Sequence, residues 1–198
     1  GNCLKIAIAN GYCFAGNAAL FGCSDFRIAT KNSWIGMAGP AMIEGGGLGV
    51  FDPKEIGPSE IQEKNGVIDY LAIDEEEATS VAKKLLSYFQ GTISEYSFAD
   101  QSTLEDIIPD DRRWAYPIRE IIEILADTNT FLELRKNYGR SIVTGFIRIE
   151  GQPIALLASD CQQMGGAIDS EAAEKSADFL SICNDHSIPT VVLVDTPG

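Results

Sequence analysis

Leu4, Ile6 and Ile8 alternate with Lys5, Ala7 and Ala9, a period of two that predicts a strand ending at Asn10-Gly11. After a turn, Gly16-Asn-Ala-Ala-Leu-Phe-Gly-Cys23 predicts a short helix that opens straight after a glycine, and Phe26–Thr30 a second strand. Residues 39–66 are rich in glycine and proline and predict loop with one short helix. Val67–Leu71 then predicts a strand. Asp74 is placed to cap a helix with Glu77 closing a capping box, and Ala78, Val81, Ala82, Leu85 and Leu86 recur at helical spacing up to about Tyr88.

From Gln90 to Arg113 the periodicity dissolves into Ser, Thr, Asp and Pro, the composition of a linker. The predicted organisation is therefore two domain parts, residues 1–98 and 114–198, joined by a linker over 99–113. Pro117 stands at the first position of a helix carrying Ile118, Ile121, Ile122 and Leu125. Strands follow at 142–149 and 154–158, a helix from Ser170 to Asp185, and a strand at 190–195. Helices alternating with strands predict an α/β fold in both parts. The chain begins and stops on strands, so the expectation is a piece of something larger, inactive by itself.

The chain has 198 residues, of which 45% are hydrophobic, enough for a packed core. No run of about 18 apolar residues and no signal-peptide pattern occurs, which predicts a cytoplasmic protein that does not span a membrane. Five cysteines form no C-x-x-C pair, so they are read as reduced and mostly buried, with neither a disulfide framework nor a metal site. A net charge of −14 disfavours nucleic acid. Lys5, Arg27 and Lys31 against Asp25 make residues 1–43 the segment that a phosphate-bearing ligand would prefer.

Gly16 lets the backbone approach a ligand, and the N–H groups that open the next helix favour negative charge, which outlines an oxyanion hole. The same pattern also describes an ordinary strand-to-helix turn. Gly165-Gly166 ahead of Asp169 and Ser170 carries the same two readings, since either polar residue can simply cap a helix. His186, at a helix end without an obvious nucleophile, reads as structural. Glu75-Glu76-Glu77 is a solvated helix start facing the dipole. Asp195-Thr-Pro-Gly198 imitates the Asp-x-x-Gly element of GTPases, but no G-x-x-x-x-G-K-[ST] loop precedes it.

The run from Asn10 through Gly16-Asn17 and Asp25 to Arg27-Ile-Ala-Thr30 resembles the crotonase-superfamily signature. Trp34-Ile-Gly-Met-Ala-Gly39-Pro40, Ile56-Gly-Pro58, Asn65-Gly-Val-Ile-Asp69 and Asp74-Glu-Glu-Glu-Ala78 follow the order of the N-terminal half of acyl-CoA carboxylase carboxyltransferases. Phe131-Leu-Glu133, Ile142-Val-Thr-Gly145-Phe, Gly151-Gln-Pro-Ile, Gly165-Gly-Ala-Ile-Asp169, Ala172-Ala-Glu-Lys175 and Ile188-Pro-Thr-Val-Val-Leu-Val-Asp195-Thr-Pro-Gly198 resemble the opening of their second crotonase-like domain.

The resemblance implies parts of two tandem crotonase-like domains, one on the CoA side and one on the biotin side. It implies carboxyl transfer from carboxybiotin to the α-carbon of an acyl-CoA such as acetyl- or propionyl-CoA, with no protein general base. The backbone N–H groups of Gly16 and Asn17 would hold the thioester enolate oxygen, and Asn17 departs from the two glycines usual there. Ala15, Gly39 and Pro40 would line the substrate site, and Gly165 and Gly166 the other oxyanion donors. Biotin would arrive on a carrier domain or subunit charged by biotin carboxylase, in a homo-oligomer, without nucleic acid, membrane or metal. A single-domain hydratase, isomerase or decarboxylase, and a non-catalytic assembly segment, are the alternatives.

Overall fold

The computed structural model describes residues 3–109, 111 and 114–198. They gather into two compact α/β units, residues 1–83 and 84–198, each with its own sheet.

In the first unit a parallel sheet runs in the order β1 (Ile6–Phe14), β2 (Phe26–Gly36), β3 (Tyr70–Ala72). Around it lie α1 (Gly16–Gly22), α2 (Pro40–Gly45), α3 (Ser59–Lys64) and the start of α4 (Glu75–Ser87). β1 does not end at Asn10-Gly11: the register slips between Ala9 and Gly11, Gly11 takes a φ of 93°, and pairing resumes to Phe14. β2 likewise passes Thr30 and runs on to Gly36. The polar stretch Thr30–Ser33 lies in a bulge whose hydroxyls are satisfied internally. Thr30 donates to Asn10 Oδ1 at 2.8 Å, and Ser33 donates to the Ala9 carbonyl at 2.9 Å.

β3 pairs over Tyr70–Ala72 rather than Val67–Leu71. The Val67 N–H is spent on the Gln62 carbonyl behind α3, and Asp69 is held by Arg27 at 2.9 Å. The Asp74 cap forms, its Oδ1 accepting from Glu77 N–H at 2.9 Å. The Glu77 carboxylate reaches back to Ile73 N–H at 2.6 Å, one residue beyond the expected partner. The core of this unit joins Ala9, Cys13, Ala18, Phe21, Ala29, Ile35 and Ile68.

The second unit begins inside α4. Residues 84–98, grouped with the first part by composition, pack here: Tyr88 stacks on Phe146 at 5.4 Å, and the Arg148 guanidinium donates to the carbonyls of Ser87 and Gly91. After α5 (Leu104–Ile107) and α6 (Ile118–Leu125), the sheet is β4 (Leu132–Leu134), β5 (Ile142–Ile149), β6 (Gln152–Ser159) and β7 (Thr190–Leu193), in that order. β4, β5 and β6 pair antiparallel; β7 joins β6 in parallel after α7 (Ser170–Asp185) crosses over. Pro117 is the N-cap of α6, one place ahead of the expected first position. The β5–β6 turn puts Glu150 at φ 50° and Gly151 at φ 76°. Buried Asp127 stabilises it by accepting from Glu150 N–H at 3.0 Å and Gly151 N–H at 2.7 Å.

Only Cys13 and Cys183 of the five cysteines are buried; Cys3 and Cys23 are exposed and Cys161 is half-buried. The expectation of mostly buried thiols is corrected, because Cys3 and Cys23 sit at the margins of β1 and α1 rather than in their core-facing positions. His186 caps the C-terminal end of α7 with its ring edge-on to Phe89 at 5.3 Å.

Candidate functional site

β1 delivers the chain into α1 through Ala15, whose φ of 52° and ψ of −118° belong to a region that only glycine enters without strain. Two bonds hold it there: Ala15 N–H donates to the Gly36 carbonyl at 3.0 Å, and the Ala15 carbonyl accepts from Ala19 N–H at 3.0 Å. The turn leaves the N–H groups of Gly16 and Asn17 exposed and, among the described residues, without an acceptor. No acidic side chain occupies the first turn of α1 to answer the dipole. These amides are therefore free to donate to an oxygen that gains negative charge. Gly16 itself has an ordinary backbone conformation, and a Cβ there would meet nothing within 4 Å. The fold does not demand glycine at 16, whereas the residue in the glycine-favouring conformation is Ala15.

Gly39 is the N-cap of α2 with Pro40 as the first helical residue. A Cβ on Gly39 would come within 3.3 Å of the Phe14 ring, so Ala15 and Gly39 flank one aromatic side chain. Asn17 also lines a groove of about 450 Å³ with Asn10, Tyr12, Cys13, Leu20 and Ser24. Burial pushes the Cys13 thiol up, away from a reactive thiolate. The cations expected to attract phosphates are largely engaged: Lys5 pairs with Asp25 at 3.0 Å and Arg27 with Asp69. Lys31 alone of the three has no ion pair among the described residues.

In the second unit Gly165 and Gly166 lie on a short 3-10 turn, Met164–Gly166, beyond the carboxyl end of β6. Gly166 N–H donates to the Gln163 carbonyl at 2.8 Å, so this amide is already committed, while Gly165 N–H has no acceptor among the described residues. Gly166 must be glycine, because a Cβ would stand 2.6 Å from the Asp195 carbonyl oxygen. The capping reading of Asp169 holds: its carboxylate accepts from Ala172 N–H at 2.8 Å.

Gly165 borders a cavity of about 430 Å³ with Trp114, Tyr116, Cys161, Val194 and Asp195, just past the ends of β6 and β7, where α/β sheets commonly receive ligands. Tyr116 donates to Asp195 Oδ2 at 2.8 Å; burial and then that carboxylate push its phenol up to about 12. The Arg119 guanidinium grips Glu133 at 2.6 and 2.9 Å and Asp160 at 2.7 Å, and these bonds, Glu133 first, raise its pKa against burial. Sequence reasoning missed the pairing of Tyr116 with Asp195 on this cavity, and also the separate Arg119 cluster. Their partners stand 14 to 79 positions apart along the chain, so no local pattern announces them.

Among the described residues no group of His, Cys, Asp or Glu is placed to hold a metal, and no helix is long and apolar enough to cross a membrane.

The family model described as carboxyl transferase domain matches residues 1–198. The 12S subunit of methylmalonyl-CoA carboxyltransferase from Propionibacterium freudenreichii is 32% identical over 203 residues, covering 98% of this chain and 39% of that protein. The propionyl-CoA carboxylase beta chain of Saccharopolyspora erythraea is 30% identical, again over 98% of this chain and 39% of the relative. Among solved structures, a single-chain, multi-domain long-chain acyl-CoA carboxylase superposes with a TM-score of 0.95 at 48% identity, covering 98% of this chain and 20% of that one. The transcarboxylase 12S hexamer with methylmalonyl-coenzyme A and methylmalonic acid bound gives 0.84 at 31% identity, covering 98% of this chain and 40% of that one. The chain thus spans about two fifths of the curated relatives' length.

Proposed function

The chain belongs to the carboxyl transferase domain family, and from that premise we propose that it forms part of the carboxyltransferase of a biotin-dependent acyl-CoA carboxylase. The reaction moves a carboxyl group from carboxybiotin to the α-carbon of an acyl-CoA such as acetyl- or propionyl-CoA, in fatty acid metabolism. The observation that carries the reading is the match over the whole chain, joined to a turn at Ala15 that exposes two unspent amides. Residues 1–98 would be the later part of the CoA-side crotonase-like domain, 99–113 a linker, and 114–198 the start of the biotin-side domain, although 84–98 pack with the second compact unit. The partners would be biotin carboxyl carrier and biotin carboxylase domains or subunits, within a homo-oligomer. Five free cysteines fit a reducing, cytoplasmic setting.

The chain's own contribution is electrostatic. Gly16 and Asn17 N–H groups would donate to the thioester oxygen as it gains negative charge, while Ala15, Gly39 and Pro40 would border the acyl end. Fixed donors of this kind contribute most where charge develops. Carboxybiotin, when bound, supplies the carboxyl group. The cavity beside Gly165 would offer the carboxybiotin ring Trp114 and Val194 as apolar walls and the Gly165 N–H as donor; Gly166, its amide spent on Gln163, would shape the turn. The test is biocytin-dependent decarboxylation of malonyl-CoA or methylmalonyl-CoA by a complete enzyme containing this chain. Asn17→Pro, tolerated structurally in a first helical turn, removes one donor and lowers kcat by ~10²–10³. Asn17→Gly keeps the amide and has a mild effect. Equal losses in the two variants would show that the side chain, not the backbone, carries the role.

A further inference from the structure

The buried face of α7 is formed by Ala172, Lys175, Phe179 and Cys183, a helical stripe in which one position carries a charge. Lys175 is 1% exposed. Its described partners are all main-chain carbonyls of the segment 135–142: Arg135 at 2.9 Å, Tyr138 at 2.9 Å, Gly139 at 3.5 Å and Ile142 at 2.7 Å. No carboxylate makes an ion pair with it among the described residues; Glu133 and Asp160 act on it from a distance, as do Arg119 and Arg135 with the opposite sign. An ammonium has three protons, and here four carbonyl oxygens converge on it.

Side chains that join the segment to α7 brace this arrangement. Tyr138 donates to Glu174 at 2.8 Å, and Arg135 donates to Asp178 at 3.0 Å. Gly139 sits so close to α7 that a Cβ would stand 2.8 Å from the Glu171 carbonyl oxygen. Arg135 and Gly139 both take left-handed angles, φ 49° and 52°, which turn successive carbonyls inward. Ser141 adds a buried hydroxyl with no hydrogen-bond partner among the described residues. A ring of inward carbonyls replacing a hydration shell is how proteins hold a potassium ion. The Arg135 and Gly139 carbonyls also accept from Tyr138 N–H and Ile142 N–H, each at 3.1 Å, so the ammonium chiefly answers the carbonyls of Tyr138 and Ile142, and leaving these two buried and unpaired would be costly.

We propose that segment 135–142 is a monovalent-cation site occupied by the protein's own Lys175 ammonium, and that removing the side chain lets a potassium, ammonium or small alkylammonium ion take its place. The lysine is then a tethered ion. Its charge and position matter, and its methylenes serve to deliver it.

The test compares wild type, Lys175→Ala and Lys175→Met in potassium, ammonium, propylammonium and choline chlorides at equal ionic strength. Lys175→Ala empties the cage; Lys175→Met leaves a methyl group in it. In choline chloride both variants should melt roughly 10 °C below wild type. Potassium, ammonium and above all propylammonium should restore much of the loss in Lys175→Ala, saturating with concentration, and none in Lys175→Met. Wild type should not distinguish the four salts. A Lys175→Ala protein indifferent to the cation, or a Lys175→Met protein rescued equally, overturns the proposal. The wild-type protein provides a reading that needs no variant. At pH 6.5, below the value of about 7 to which burial lowers this lysine, a nitrogen-15 spectrum should show one slowly exchanging ammonium. Rapid exchange of every lysine ammonium overturns the proposal as well.

Discussion

Ala15 shows how one residue can bear strain at a strand-to-helix turn. Its φ of 52° with ψ of −118° costs an alanine on the order of 1–3 kcal/mol, and the neighbouring bonds to Gly36 and Ala19 hold it in place. Ala15→Gly should therefore raise Tm, read by calorimetry, with a gain of about 1 kcal/mol limited by the entropy that glycine loses on folding. Gly16 behaves differently, since its conformation is ordinary and the space around a Cβ is open. Gly16→Val should leave Tm within experimental scatter, and under the proposed function it should lower turnover in the complete enzyme. A fall in Tm matching the fall in turnover would mean that position 16 serves folding rather than substrate.

At the scale of elements, the β5–β6 hairpin depends on a residue outside it. Asp127 satisfies both turn amides, and the turn sits where a Cβ on Gly151 would lie 2.0 Å from the Ile93 carbonyl oxygen, so sequence-distant backbone closes over it. Asp127→Ala leaves two amides unpaired and should destabilise by ~2–4 kcal/mol in denaturant unfolding. Asp127→Asn, keeping an acceptor for one of them, should lose less. The Tyr116–Asp195 bond ties the approach to α6 to the segment beyond β7, and it depends on pH. The folded phenol lies at about 12 against 10.0 for the ordinary group. Its contribution is fully present below pH 10 and is lost as pH rises through 12. The stability difference between wild type and Tyr116→Phe should be flat from neutrality to about pH 9 and shrink above that; a difference constant up to pH 12 would exclude the bond.

For the whole molecule, the net charge of −14 sets the solution behaviour. Carboxylates in such excess repel one another and any phosphate backbone. Added salt of any simple monovalent kind should raise Tm by screening, and the chain should pass through heparin without retention at neutral pH. Failure of salt to stabilise would mean that the charges are already neutralised pairwise. Pairs such as Lys5–Asp25 and Arg119 with Glu133 and Asp160 exist, but there are 15 Lys and Arg against 29 Asp and Glu.

Periodicity alone located α4, α6, α7, β5, β6 and β7, because each is long enough for its apolar spacing to stand out and each is bounded by a cap or turn residue. The ordered motifs, read across both halves, also carried the family, and the match over residues 1–198 bears this out. The sequence could not disclose the bulge that carries β1 and β2 past Asn10 and Thr30, since polar residues that satisfy one another across two strands look like loop when read singly. Three-residue β4 has too few positions to show a period. Gly165-Gly166 looked like an equivalent pair of donors; tertiary structure separated them, committing one amide to Gln163 and placing Asp195 where a side chain on Gly166 would stand. Lys175 shows the same limit. Its place in the apolar stripe of α7 can be read from spacing, but what answers its charge is a ring of carbonyls 33 to 40 residues away along the chain, and only the closing of β4 and β5 against α7 brings them together.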